Sequence, residues 1–250
     1  MKIRYAAKTD VGMKRNHNED YFSLIEDEQL FIVADGMGGH MGGEEASALA
    51  AATVAQHVVR DIYLPFLAGG EPDADWKPWQ EVLAEAVAAA NVAVRTAIPD
   101  SGTTLTCGLV VGNQLALAHV GDSRAYLIGE NGLQHLTRDH SLVQRLQELG
   151  QLSAEEAATH PSRNMLYRAV GQGDLLEADL AAHTLPSVAR LLLCSDGLWG
   201  VVPESDIFEI VREAVGQPAL QAACQALIAE ANRLGGPDNI TAILVQINNQ

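Results

Sequence analysis

The sequence predicts an α+β fold, built in layers within a single domain. Three observations carry this. Apolar strand-like runs open and close the chain, two pairs of helical segments interrupt them, and no linker or internal repeat divides the 250 residues. The run from Gly102 to Leu136 adds a sense of direction. Its short segments, rich in Thr, Val and Leu and punctuated by "GN" and "ENG", suggest an antiparallel meander rather than parallel strands with crossover helices.

In chain order, residues 2–8 and 20–26 read as strands, and Glu26–Gln29 as a hairpin turn. Leu30–Ala34, "LFIVA", reads as a buried strand ending at Asp35, followed by five glycines among Gly36–Gly43. Glu44–Arg60 has helical composition with acidic residues in its first turn, where they suit the helix macrodipole. After the breaker "GGEPDADWKPW", Glu81–Ile98 repeats Leu83, Val87, Ala90 and Val94 on one helical face. Residues 141–170 read as a polar, helical excursion from the sheet. Strands follow at 175–183 and 189–195, helices at about 204–214 and 218–234, and a closing strand at 240–247.

Composition narrows the class. With 48% apolar and 19% charged residues the chain reads as an ordinary soluble globular protein, large enough for a sizeable core. Thirty-two acidic against 16 basic side chains give a formal net charge of -16, which argues against nucleic acid or an anionic membrane as partner. "MKIRYAAKTDVG" lacks the apolar stretch of a signal peptide, and no run reaches the length of a membrane span. Cys107, Cys194 and Cys224 are widely spaced, and are expected to be buried free thiols in a reducing compartment, the cytoplasm.

The chemistry is concentrated at strand ends. Asp35 ends "LFIVA", Asp122 ends "LALAHVG", Asp196 follows "RLLLCS", Asp238 opens "DNITAILV" and Asp20 opens "DYFSL". Each alone is an ordinary turn residue. Gathered at sheet ends, they would have to protonate, separate or share a cation. Oxygen donors without a Cys or His pair favour a hard ion, Mg²⁺ or Mn²⁺. Competing motifs fail: "GMGGHMGG" places Met41 where a dinucleotide loop needs glycine, and there is no G-x-x-x-x-G-K-[ST], no C-x₅-R, no H-E-x-x-H and no G-x-S-x-G.

In order, "RNHNED", "ADGMGGHMGGEEAS", "SGTT", "HVGDSRAY", "LTRDHSLV", "RAVG", "LLCSDGLWG" and "GGPDNIT" resemble the PP2C or PPM family of metal-dependent protein phosphatases, in its bacterial form, from about Arg15 to Val245. The resemblance implies a four-layer αββα sandwich of two antiparallel sheets flanked by helix pairs. It implies a serine/threonine phosphatase that hydrolyses phosphoserine and phosphothreonine with a water bridging two Mn²⁺ or Mg²⁺ ions. Asp35 and the Gly36 carbonyl would hold the ions with Asp196 and Asp238, and Asp122 with Asp196 would hold a third. Glu19 and Asp20 would act through water on the metals, and Arg15 would clamp the phosphate. Met37 stands where eukaryotic members carry histidine, so His40 is the candidate to protonate the leaving alkoxide, directly or through water, with a metal-bound water as the alternative acid. Residues 141–170 match the family's flap, with His160 a candidate substrate contact and Arg163 and Arg168 candidates for steering an anionic peptide. The implied partners are phosphoproteins and a Ser/Thr kinase whose action is opposed; a monomer suffices. The alternative is a phosphoprotein-binding module that keeps the fold and has lost turnover. The completeness of Arg15, Asp20, Asp35, Asp196 and Asp238 argues against it.

Overall fold

The computed structural model describes residues 2–38, 41–68, 77–130 and 132–248. Two antiparallel sheets form its centre. One has the order β1 (Lys2–Asp10), β11 (Ile240–Asn248), β10 (Val188–Cys194), β7 (Arg124–Gly129), β8 (Gly132–His135). The other has the order β2 (Asp20–Ile25), β3 (Leu30–Met37), β5 (Leu105–Val111), β6 (Gln114–Val120), β9 (Asp179–Thr184), with the short β4 (Gly102–Thr103) paired to the end of β3.

Side-chain alternation makes the four layers. Along β3, Leu30 and Ile32 pack beneath α1 (Gly42–Val58) and α3 (Trp79–Ala97), whereas Phe31 and Val33 point to the other sheet. Along β10, Leu191 and Leu193 face the inter-sheet core, while Leu192 and Cys194 pack with α7 (Glu204–Arg212) and α8 (Gln217–Arg233). A strand covered on both faces must be apolar at every position, which is why "LFIVA" and "RLLLC" show no polar alternation.

Several boundaries differ from the sequence expectation. β3 continues two residues past Asp35, because Gly36 and Met37 pair with Thr103 and Gly102. The expected meander is divided between sheets: β5 and β6 form a hairpin in one, β7 and β8 in the other, and the chain crosses between them at Gly121–Ser123. Gly121 turns there with φ 104°. A Cβ at Gly121 would lie 2.6 Å from the Thr104 side chain. α1 starts two residues earlier than expected and runs through a π-helical turn, Val59–Tyr63, into α2 (Leu64–Leu67). The 141–170 segment holds only two short helices, α4 (Leu142–Glu148) and α5 (Ala154–Thr159), each begun by a serine N-cap, Ser141 and Ser153. β9 begins at Asp179 rather than 175, and Leu175 is almost fully exposed. Among the described residues no helix is long and apolar enough to cross a membrane.

Candidate active site

At one end of the sandwich the strand-end aspartates meet. A cleft of about 340 Å³ is lined by Asp35, Asp122, Asp196 and Asp238 together with Arg15 and Glu19, so both sheets contribute carboxylates to one cavity.

Backbone contacts set each position. The Asp35 N–H donates to Thr104 Oγ1 (2.9 Å), and its carbonyl accepts from Thr104 N and Thr103 Oγ1 (2.9 and 3.0 Å), which holds the β3 terminus at the start of β5. Gly36 N donates to the Glu19 carbonyl at 3.0 Å, and Ser47 Oγ on α1 donates to the same oxygen at 2.7 Å. The close approach requires glycine: a Cβ on Gly36 would stand 2.1 Å from the Gly43 carbonyl oxygen, and one on Gly43 would stand 2.4 Å from a Glu19 carboxylate oxygen. Part of the Gly-rich stretch thus brings α1 against the strand end. Gly39 and His40 lie outside the described residues.

Asp196 opens α6 (Asp196–Trp199), immediately after β10. Asn239 organises the opposite wall. Its Oδ1 accepts from Glu19 N (2.8 Å), and its Nδ2 donates to the carbonyls of Val11 and His17 (3.0 and 2.8 Å). Ser195 Oγ donates to Asp20 Oδ2 at 2.7 Å and accepts from Thr241 N at 3.0 Å, tying β2 to the other sheet. Trp199 Nε1 donates to the Asp122 carbonyl at 2.9 Å, and the Arg124 guanidinium stacks on the Trp199 ring at 3.5 Å.

The electrostatics are those of a cation site. Burial, reinforced by the neighbouring aspartates, pushes the Asp20 carboxyl up to about 7 and the Asp196 carboxyl up to about 6. The same causes hold Asp35 and Asp122 well above the ordinary carboxylate range, and burial also raises Glu19. Asp20 Oδ1 and Asp196 Oδ1 are buried without a hydrogen-bond partner among the protein atoms. Orphaned carboxylate oxygens in an all-oxygen donor set suit a hard divalent ion. Among the described residues no three His, Cys, Asp or Glu side chains stand in a ready-made metal-holding arrangement. The carboxylates share the cleft without having closed on one point.

Of the expected residues, Arg15, Glu19, Asp35, Gly36, Asp122, Asp196 and Asp238 line the cleft, and Asp20 lies buried behind it on the Ser195 hydroxyl. Arg15 Nη2 donates to Asp238 Oδ2 at 2.7 Å. His160 is not among the lining residues; it ends α5, where its Nδ1 accepts from Ser162 N at 3.1 Å. Arg168 is engaged with Asp179 at 3.1 Å rather than facing the cleft. Sequence reasoning missed Asn164, Leu166, Gln172, Thr104 and Asn239, which also line the cleft, as do Met37 and Gly38. Asn239, next to Asp238, carried a local signal; the first three sit in an irregular segment and carried none.

Residues 13–230 match the family described as Protein phosphatase 2C. The chain belongs to that family. It is 38% identical over 246 residues to the serine/threonine phosphatase stp of Listeria monocytogenes, covering 96% of this chain and 94% of that protein. It is equally 38% identical, over 248 residues, to the serine/threonine protein phosphatase PstP of Mycobacterium tuberculosis, of which the match spans 45%. The catalytic domain of a phosphatase PstP, solved in complex with two manganese ions, superposes with a TM-score of 0.81 at 36% identity, covering 98% of this chain and 99% of that one.

Proposed function

We propose that the chain is a metal-dependent protein serine/threonine phosphatase whose 250 residues act as one catalytic domain. The observation that carries this is the convergence of Asp35, Asp122, Asp196 and Asp238 from two sheets on a cleft that also holds Arg15.

Asp35, the Gly36 carbonyl, Asp196 and Asp238 would hold two Mn²⁺ or Mg²⁺ ions, with Asp122 and Asp196 at a third, while Glu19 and Asp20 act through water. Such ions supply Lewis-acid charge and lower the pKa of water at the site. The protein's part is orientation. Asp35 is fixed by three hydrogen bonds through its own backbone, so its carboxylate is delivered from a rigid strand end. Arg15, half exposed at the cleft, offers a permanently charged fork to the equatorial oxygens of a phosphoryl group. Gln172 and Asn164 border the same cleft from the flap side and limit how a phosphorylated side chain enters. His40 is assigned to proton delivery by its place in the sequence, and His160 to substrate contact farther out along the flap. The natural substrates are phosphoproteins, including those of a Ser/Thr kinase that the enzyme opposes. Three buried free cysteines support a reducing, cytoplasmic setting.

Phosphate release from a phosphothreonine peptide tests the assignment. Release with Mn²⁺ should stop with EDTA and with Asp35→Asn; turnover surviving both would refute it.

A further inference from the structure

The flap segment separates two cavities. Asn164 and Leu166 line the carboxylate cleft, whereas the next two residues, Tyr167 and Arg168, line a second pocket of about 300 Å³ with Arg138, Arg145, His140 and Asp179. The partition is one backbone thick: Leu142 N donates to Met165 O (2.8 Å) and Tyr167 N to His140 O (2.9 Å). It is also wired to the cleft. His140 Nδ1 accepts from Gly121 N at 3.1 Å, and Gly121 immediately precedes Asp122. With Nδ1 accepting, the ring proton resides on Nε2, which faces Asp179 Oδ2 at 3.2 Å.

The second pocket has the opposite charge character to the rest of the molecule. The whole chain carries a net charge of -16, with 16 Lys and Arg in all, yet three arginines converge here. Their carboxylate partners are Glu148, bonded to both Arg138 and Arg145, and Asp179, bonded to Arg168 at 3.1 Å. Three guanidinium groups present about fifteen N–H donors to two carboxylates with roughly eight lone-pair positions, so donors are in surplus. The side chains of Arg138 and Arg145 are 52% and 56% exposed, so their unused forks remain open to solvent. A concave, donor-rich, net-positive recess on an acidic protein concentrates anions, and clustered arginine forks match the tetrahedral oxygens of a phosphoryl group.

We infer that the recess formed by Arg138, Arg145 and Arg168 is a second phosphoryl-binding site, separate from the carboxylate cleft and one strand of backbone away from it. The phosphoryl group belongs either to a second phosphorylated residue of the protein substrate or to free inorganic phosphate. The inference extends the phosphatase reading to multiply phosphorylated substrates, and rests on that reading only for the first source.

The test titrates the Mg²⁺-loaded full chain with inorganic phosphate by calorimetry, for the parent and for Arg145→Gln and Arg138→Gln, with circular dichroism to verify folding. Two binding events are expected in the parent, one of which weakens at least tenfold in both variants while the other persists. A single event, unchanged by either substitution, would overturn the proposal. A phosphothreonine peptide series carrying a second phosphoserine at successive positions then distinguishes the sources. A KM lowered about tenfold at one spacing in the parent but not in Arg145→Gln assigns the pocket to the substrate, and an unchanged KM alongside the second calorimetric event assigns it to free phosphate. Failure to release phosphate from any peptide, with the second event intact, would count against the phosphatase reading and leave this site standing.

Discussion

Asp20 lies directly across the β2–β3 ladder from Asp35, as Cα partners in the antiparallel register. The pair places two carboxylates side by side on one strand end, and Ser195, from the other sheet and 175 residues away in sequence, engages the first of them at 2.7 Å. Like charges opposite each other destabilise a ladder unless something answers them. In the metal-free chain burial and this repulsion hold both carboxyls toward the protonated form, and a cation bound beside them would relieve it.

Asp35→Asn and Asp196→Asn should each lower turnover of a phosphothreonine peptide at saturating Mn²⁺ by about a thousandfold or more, since a misplaced metal forfeits several kcal/mol of charge stabilisation. The thermal midpoint of the metal-free protein should stay constant or rise, because each change removes a buried like charge. Steady-state kinetics and metal-free melts check both halves; an unaltered rate would remove the residue from the site.

Stability should respond to pH differently with and without metal. The Asp20 and Asp196 carboxyls are raised from an ordinary value near 3.8 to about 7 and about 6. A raised carboxyl pKa means that the folded state holds the proton longer, so this contribution is full below about pH 4 and is lost as pH climbs through 6 to 7. Burial lowers His119 to about 4, which acts in the opposite sense, but in both the metal-free and the loaded protein. The increase in Tm produced by Mn²⁺ should therefore be larger at pH 7.5 than at pH 5.5, where protons compete with the ion. Equal increments would show that the protonation of these carboxyls is not coupled to metal binding.

Gly36→Ala should be among the more destabilising small substitutions. The added Cβ meets the Gly43 carbonyl at 2.1 Å and the Glu19 carbonyl at 2.7 Å, both backbone atoms that cannot swing aside. Overpacking of this kind costs about 1–3 kcal/mol, or several degrees of Tm, and should weaken Mn²⁺ binding as well. Ala at Gly129, where nothing stands within 4 Å, is the matched control.

Arg124 and Asp139 form a nearly buried bidentate pair at 3.0 and 2.7 Å, with Trp199 beneath the guanidinium and the Asp122 carbonyl beneath the indole N–H. Breaking such a pair strands a buried charge. Asp139→Asn should cost about 3–5 kcal/mol in denaturant unfolding, and through Trp199 should disturb Asp122 without removing any carboxylate that lines the cleft.

His40→Ala should separate substrates by leaving group. A phosphothreonine peptide, whose alkoxide needs a proton, should lose about a hundredfold in kcat, whereas p-nitrophenyl phosphate should lose far less. Equal losses would take His40 out of proton delivery.

Much of the site was legible in the chain because a strand buried on both faces must be apolar until it ends. The first carboxylate after such a run, Asp35 or Asp196, therefore announces itself. The layered α+β class and the helix pairs were legible from the same periodicity, whereas the division into two sheets was implied only by the family resemblance. Less visible were partners whose meaning depends on distant segments. Ser195 reads as a turn residue until Asp20 is beside it, and Asn239 reads as a strand opener until its carboxamide is seen joining Glu19, Val11 and His17. The division of the expected meander could not be read locally, since β6 and β7 have similar composition and only packing decides which sheet each joins. Nor could the arginine pocket, assembled from residues on two sides of α5. By itself the sequence determined which residues end buried strands, and hence which carboxylates could meet a cation, because burial and periodicity are local constraints. Which of those residues share a cavity, and which arginines face it or turn away, was decided only by the tertiary structure, because cavities are made by contacts between segments that local sequence does not encode.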